Sequence, residues 1–234
     1  EGHPENKIWV TGGVVVEAFE RKLKEKPQTS IFSIYPQLAQ GKWIRLDIHR
    51  KENQTRKRFE AIIHSMKLLL EKGHKVCFAE MNTCRDSLEK YGLRHAIDAM
   101  KKNPNFLHTE VWPEYAQVLE FYSSEHCLAA VTDSGGIQEE MNLLGKPCFT
   151  LRFNTDRPET VNDARGNLLV PPISAEFISN LLDYALKDKA LIETMSISKK
   201  LYGKDVASKF ISTLKRLMEE KRLPFAWAHD DLGY

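Results

Sequence analysis

The residues best suited to chemistry stand where apolar runs end. The run VTDSGGIQEE, residues 131–140, passes through Asp133 and Ser134 to the glycines Gly135 and Gly136, then straight into a helical pattern. In a parallel α/β sheet such a strand end opens onto the crevice where ligands bind. Two glycines let a ligand come close to the backbone, and the free amides of a helix start favour an anion such as a phosphate. Ser134 adds a hydroxyl donor. The spacing is neither the GxGxxG dinucleotide fingerprint nor a Walker A loop. The same residues also describe a tight turn with Ser134 as helix cap. Glu139 and Glu140 fall in the first turn of this helix, where the dipole favours a carboxylate with or without a ligand. One of the two is expected to face the crevice, where it suits sugar or ribose hydroxyls better than a phosphate it would repel.

Two more polar segments follow apolar runs. DIHRKEN, residues 47–53, delivers His49 and Arg50 to the same edge. A histidine there can donate to a phosphate oxygen or act as an acid near neutral pH, and it can equally be a loop histidine among surface ion pairs. RFNTDRPET, residues 152–160, carries Arg152 and Arg157, with Pro158 stiffening the turn. Arginine grips phosphate through a planar fork and stays charged at every working pH. Jointly, a glycine turn, a histidine, arginines and a hydroxyl-binding carboxylate describe a nucleotide-diphosphate site. No Ser-His-Asp or Cys-His set has supporting context. Cys77, Cys84, Cys127 and Cys148 form no CxxC pair, and His126 beside Cys127 lacks zinc-site spacing. They read as reduced core thiols, which places the chain in the cytoplasm.

The elements that position these segments alternate. Strands are expected at residues 7–11, 43–48, 75–79, 106–111, 127–132, 147–151 and 168–170. Helices are expected at 14–24, 55–71, 85–91, 113–123, 136–144, 175–186 and 205–220, with 27–41 as a connector. Phe59, Ile62, Ile63, Met66, Leu69 and Leu70 mark one face of the second helix, and Gly73 supplies its stop. Such alternation predicts an α/β fold with a mainly parallel sheet. The 234 residues suffice for one large domain or two small ones, and 42% apolar with 28% charged is ordinary for a globular chain. A net charge of +2 argues against a nucleic-acid partner held by bulk charge. No apolar run approaches the roughly 18 to 20 residues that span a bilayer, and residues 1–7 do not read as a signal peptide. Neither a membrane nor a nucleic-acid role is expected. The polar tail, residues 221–234, carries Phe225 and Trp227 and is expected to pack on something.

DSGGIQEE at 133–140, LGKP at 144–147, NTDRPE at 154–159 and HRKEN at 49–53 stand in an order and at separations that resemble the non-hydrolysing UDP-N-acetylglucosamine 2-epimerases. The likeness runs from TGGVVVEA near residue 11 to LYGK at 201. It implies a GT-B arrangement of two Rossmann-like domains, of which this chain covers the C-terminal half. Residues 1–41 would end the first domain and form the hinge and linker. Residues 42–204 would bind UDP, and 205–234 would pack towards the N-terminal domain. The implied reaction inverts C2 of the sugar, interconverting UDP-N-acetylglucosamine and UDP-N-acetylmannosamine by elimination and re-addition of UDP, with neither metal nor nicotinamide. His49 would contact the diphosphate and could act as an acid. Ser134, Gly135 and Gly136 would cradle it, Arg157 would add charge, and Glu140 would hold the ribose. Tyr115 and Phe121 both remain open as the aromatic that holds the uracil. The sugar carboxylates of the family lie chiefly in the N-terminal domain, so this chain alone is expected to be inactive, and many members are dimers. Two departures stand out: Thr11-Gly12-Gly13, where the family usually has Thr-Gly-Asn, and Asp47 before the histidine motif. Alternative readings are a hydrolysing relative that releases N-acetylmannosamine and UDP, a non-catalytic UDP-sugar sensor, and a GT-B glycosyltransferase.

Overall fold

The computed structural model describes residues 4–199, 201–220 and 222. The chain divides into two compact units, Glu25–Leu201 and the pair of segments Glu1–Lys24 and Tyr202–Tyr234. The chain begins with α1 (Val15–Lys22) and α2 (Ile31–Ile34), then β1 (Trp43–Asp47), α3 (Arg56–Glu71) and β2 (Lys75–Glu80). Next come α4 (Asn82–Lys90), α5 (Arg94–Met100), β3 (Phe106–Glu110), α6 (Tyr115–Ser123), β4 (Cys127–Thr132) and α7 (Gly135–Leu144). The remainder is β5 (Cys148–Thr150), α8 (Pro158–Asn162), β6 (Asn167–Leu169), α9 (Ala175–Lys187), α10 (Lys189–Met195) and α11 (Val206–Glu219).

The larger unit holds one six-stranded sheet in the order β3-β2-β1-β4-β5-β6, parallel throughout. Both faces are covered, which is why its central strands read as nearly continuous apolar runs. Alternate residues of β1 enter different cores. Ile44, Leu46 and Ile48 pack with Phe59, Ile62 and Met66 of α3 and with Ile178 and Leu182 of α9. Trp43 packs on the other face with Phe121 and Tyr122 of α6 and Met141 of α7. That second core also takes in Ile31 and Leu38. The expected connector 27–41 is therefore structured, with α2 capped by the Ser30 hydroxyl and a 3₁₀ turn at Pro36–Ala39.

The chain builds outward from β1 to β2 and β3, then returns to lay β4 on the opposite side of β1. This reversal makes β1 and β4 the topological switch point, where their carboxyl ends diverge and leave a crevice. Asp47 lies level with Thr132, so the two polar segments that follow emerge side by side.

Of the smaller unit, the structure describes a 3₁₀ turn at Glu5–Lys7, α1 and α11. The strand expected at residues 7–11 is not formed: the residues after the turn join no sheet, and Val10 is 93% exposed. Gly12 sits at φ +103°, and a Cβ there would lie 2.4 Å from the Tyr202 carbonyl oxygen, so only glycine fits. The expected packing of Phe225 and Trp227 lies outside the described residues.

Candidate functional site

Asp133, the first residue beyond β4, organises the crevice. It is wholly buried. Its carboxylate accepts the backbone N–H of His49 and of Arg50, each at 3.0 Å, and the side-chain amide of Asn53 at 3.0 Å. His49 Nδ1 lies 3.1 Å from it, and Asn53 also donates to the Leu151 carbonyl at 2.9 Å. Asp133 and Asn53 thus tie together the loops after β1, β4 and β5. Burial alone would raise the Asp133 pKa, but the donors from His49 and Asn53 outweigh it and hold the pKa below the usual carboxylate range. The same hydrogen bond raises the His49 pKa above its ordinary value.

A second set of buried amides fixes the loop after β5. Gln138 donates to the Ser134 carbonyl at 3.1 Å and accepts from the Thr155 hydroxyl at 2.6 Å and from Asn167 at 3.0 Å. Thr155 in turn accepts the Arg157 backbone N–H at 3.0 Å. Asp133, Asn53 and Gln138 do not touch the crevice as ligands would; they hold the residues that do. Their signal in the sequence is slight, since a Gln in a polar helix start reads as solvated.

Ser134 caps α7, accepting from Ile137 N at 3.4 Å, so the capping reading is realised. The glycines after it are not demanded by torsion, and a Cβ on Gly136 would meet nothing closer than 3.9 Å, while one on Gly135 would meet only Asp156 and Arg50 at ordinary contact distance. What they leave is open space over the helix amides, the arrangement that admits an anion.

Beside this turn lies a cavity of about 460 Å³. His49, Ser134, Gly136, Tyr115 and Glu140 share its wall, with Trp112 and Pro113 from the loop after β3 and Arg45 and Asp47 from β1. Of the two glutamates, Glu140 faces the cavity, while Glu139 pairs with Arg157 at 2.9 Å. Burial pushes the Glu140 pKa up to about 7, against a hydrogen bond from Tyr115. Its Oε2 is buried with no hydrogen-bond partner among the described residues. Arg157 lies outside the cavity wall, its Nη1 donating to the Asp156 carbonyl at 2.9 Å. Asp156 also pairs with Arg152 at 2.7 Å and Arg50 at 3.5 Å. Phe121 is wholly buried, edge-on to Trp112 at 5.6 Å, and has no ring face to offer a base. Tyr115, 41% exposed, lines the cavity beside Trp112.

All four cysteines are free and buried, and burial pushes each thiol up to about 12. Among the described residues no cluster of His, Cys, Asp and Glu could hold a metal ion, and no helix is long and apolar enough to cross a membrane.

Residues 1–215 match the family model described as UDP-N-acetylglucosamine 2-epimerase. A UDP-N-acetylglucosamine 2-epimerase of Methanocaldococcus jannaschii is 33% identical over 175 residues, 73% of this chain and 46% of that protein. One of Methanococcus maripaludis is 32% identical over 194 residues, 80% of this chain and 50% of that protein. The chain spans about half the length of the curated relatives it matches. The crystal structure of the Methanocaldococcus jannaschii enzyme in complex with UDP-GlcNAc and UDP superposes with a TM-score of 0.72 at 27% identity, covering 92% of this chain and 56% of that one. The Neisseria meningitidis enzyme bound to UDP-GlcNAc shares the fold, with a TM-score of 0.71 at 24% identity over 92% of this chain and 57% of that one.

Proposed function

Since the chain belongs to the UDP-N-acetylglucosamine 2-epimerase family, we propose that it is the UDP-binding, C-terminal half of an enzyme that interconverts UDP-N-acetylglucosamine and UDP-N-acetylmannosamine. The observation that carries this reading is the convergence of His49, the Ser134–Gly136 turn, Tyr115 and Glu140 on one cavity at the switch point. The diphosphate sits over the open amides of α7, and His49, charged more readily because of Asp133, donates to it. Ribose hydroxyls donate to Glu140, whose Oε2 has no partner among the described residues, and Tyr115 flanks the uracil. Arg157 adds positive charge at the diphosphate by exchanging Glu139 for a phosphate oxygen.

The reaction asks little more of this half. As UDP leaves C1 of the sugar, negative charge grows on the diphosphate, and preorganised amides with His49 and Arg157 stabilise it. Removal and return of the C2 proton need a base and an acid on the sugar, which we assign to residues outside this chain. Residues 42–204 then form the UDP-binding domain, with 25–41 packed on its second core, and α11, the helix described within the expected segment 205–234, faces the N-terminal half. The exposed apolar side chains Phe210, Ile211, Leu214 and Met218 of α11 support that direction. The buried free thiols support a cytoplasmic site of action.

The test is proton NMR of UDP-N-acetylglucosamine in deuterated water with this chain and with the full-length protein. The chain alone is expected to transfer saturation to uracil without deuterating C2, and the full-length protein to do both. Deuteration by the chain alone would place the base within these residues. Free UDP rising in step with free N-acetylmannosamine would identify the hydrolysing relative instead. Arg157→Ala should weaken UDP binding by roughly 2–3 kcal/mol, the scale of a charge-assisted hydrogen bond to a buried anion. An unchanged affinity would remove Arg157 from the site.

A further inference from the structure

Arg45, Asp47 and His49 share one face of the β1 segment, two residues and about 6.6 Å apart at each step. All three line the same cavity. His49 stands at the sheet edge, Asp47 level with Thr132, and Arg45 one step deeper, level with Ala130 on β4 and Cys77 on β2. The small side chains of these two neighbours leave room for a guanidinium. Arg45 is 4% and Asp47 2% exposed, so an ion pair lies beneath the mouth of the cavity, inside the core that holds Trp112 and Tyr122.

Stability does not account for this pair, because well-packed apolar side chains of the same volume usually stabilise at least as well. The pair is also fully braced. Arg45 Nη1 donates to Asp47 and, at 2.7 Å, to the Tyr122 hydroxyl. The other Asp47 oxygen accepts from Thr132 at 2.6 Å. The guanidinium carbon lies 4.7 Å from the Trp112 ring centroid and 5.3 Å from that of Tyr122. Yet Arg45 Nε, buried, donates to nothing among the described residues, just as Glu140 Oε2 accepts from nothing. An unused donor at the inner end and an unused acceptor nearer the edge therefore belong to one cavity.

We propose that Arg45 reads the nucleobase, donating from its guanidinium to the carbonyl oxygen at position 4 of uracil, the base atom farthest from the ribose held by Glu140. The inference rests on the UDP reading above. Position 4 of uracil is an acceptor, whereas cytosine carries an amino donor there, which would meet a donor that cannot be deprotonated. Asp47, Tyr122 and Trp112 are positioning residues: they fix the plane and direction of the fork.

The experiment is calorimetric titration of the full-length protein with UDP, CDP and 4-thio-UDP, whose sulfur is a poor acceptor. The wild type is expected to favour UDP over CDP by roughly tenfold or more, as a site built around one hydrogen bond does, and to bind 4-thio-UDP more weakly than UDP. Arg45→Met/Asp47→Asn, which removes both charges at similar volume, should bring UDP and CDP together, by weakening UDP and by relieving the donor–donor contact that CDP meets in the wild type. Arg45→Lys, which keeps the charge without the fork, should lose most of the preference. Equal binding of UDP and CDP by the wild type, or a preference that survives in the double variant, overturns the assignment of Arg45 and leaves the UDP site standing. Absence of binding by either nucleotide overturns the site itself. Should the variants not fold, 4-thio-UDP decides with the wild type alone: equal affinity for it and UDP overturns the proposal.

Discussion

At Asp133 one carboxylate gathers backbone and side-chain donors from a loop 80 to 84 residues earlier in the chain. Asp133→Asn turns an acceptor into a group with its own N–H to place, in a site already full of donors. It should lower the unfolding free energy by about 2–4 kcal/mol, read from urea denaturation, and bring the His49 pKa down, read from its ring protons. Glu140 titrates the other way. In the folded protein it holds its proton to about pH 7, against 4.5 for an ordinary glutamate. Between those values the folded state binds more protons than the unfolded one, so its contribution makes stability fall as pH rises through this window. Denaturation midpoints from pH 5 to 8 should show that fall in the wild type and lack it in Glu140→Gln. UDP affinity should weaken below about pH 7 in the wild type, as the ribose loses its ionised acceptor, and that acid limb should vanish in the variant. His49, Ser134, Gly136 and Glu140 were legible because strand ends and a glycine turn advertise a ligand edge. The bracing roles of Asp133, Asn53 and Gln138 were not, because buried hydrogen bonding between distant loops leaves no periodicity to read.

The element that matters most to the site is α7, which begins at the Ser134 cap and ends at Gly145 with φ +63°. A Cβ on Gly145 would come within 2.7 Å of the Ser196 carbonyl oxygen. Gly145→Ala should therefore cost about 1–3 kcal/mol of backbone strain, seen as a lowered melting temperature. If UDP affinity falls with it, the helix end and the helix start behave as one lever. The sheet strands were legible as short apolar runs, and α3 from its period. Helices α5, α8 and α10 were missed: each is five to seven residues long and buries too few side chains for a stripe to form. Residues 7–11 mislead in the opposite sense. Trp9 and Val10 suggest a strand, but β propensity records packing on a half-buried surface, and Val10 has none.

The two compact units differ in how much they bury. The larger has two apolar cores around a sheet. In the smaller, the buried apolar residues among those described are Val16, Phe19, Tyr202, Val206 and Leu217. Local stability follows buried apolar contact, so amides of α1 and α11 should exchange with deuterium faster than those of β1 and β4, by mass spectrometry of peptic fragments. Equal protection would contradict that ranking.

The placement of the cysteines has an experimental corollary. Cys77, Cys127 and Cys148 sit on three different strands and Cys84 at the start of α4, each shielded from water and held as the unreactive thiol. A maleimide pulse should leave the closed molecule unlabelled and mark each strand as it opens, so the protein carries its own stopwatch with no residue changed. A nucleotide seated between β1 and β4 should slow that stopwatch most at Cys77 and Cys127, the thiols on the strands that flank and form the crevice.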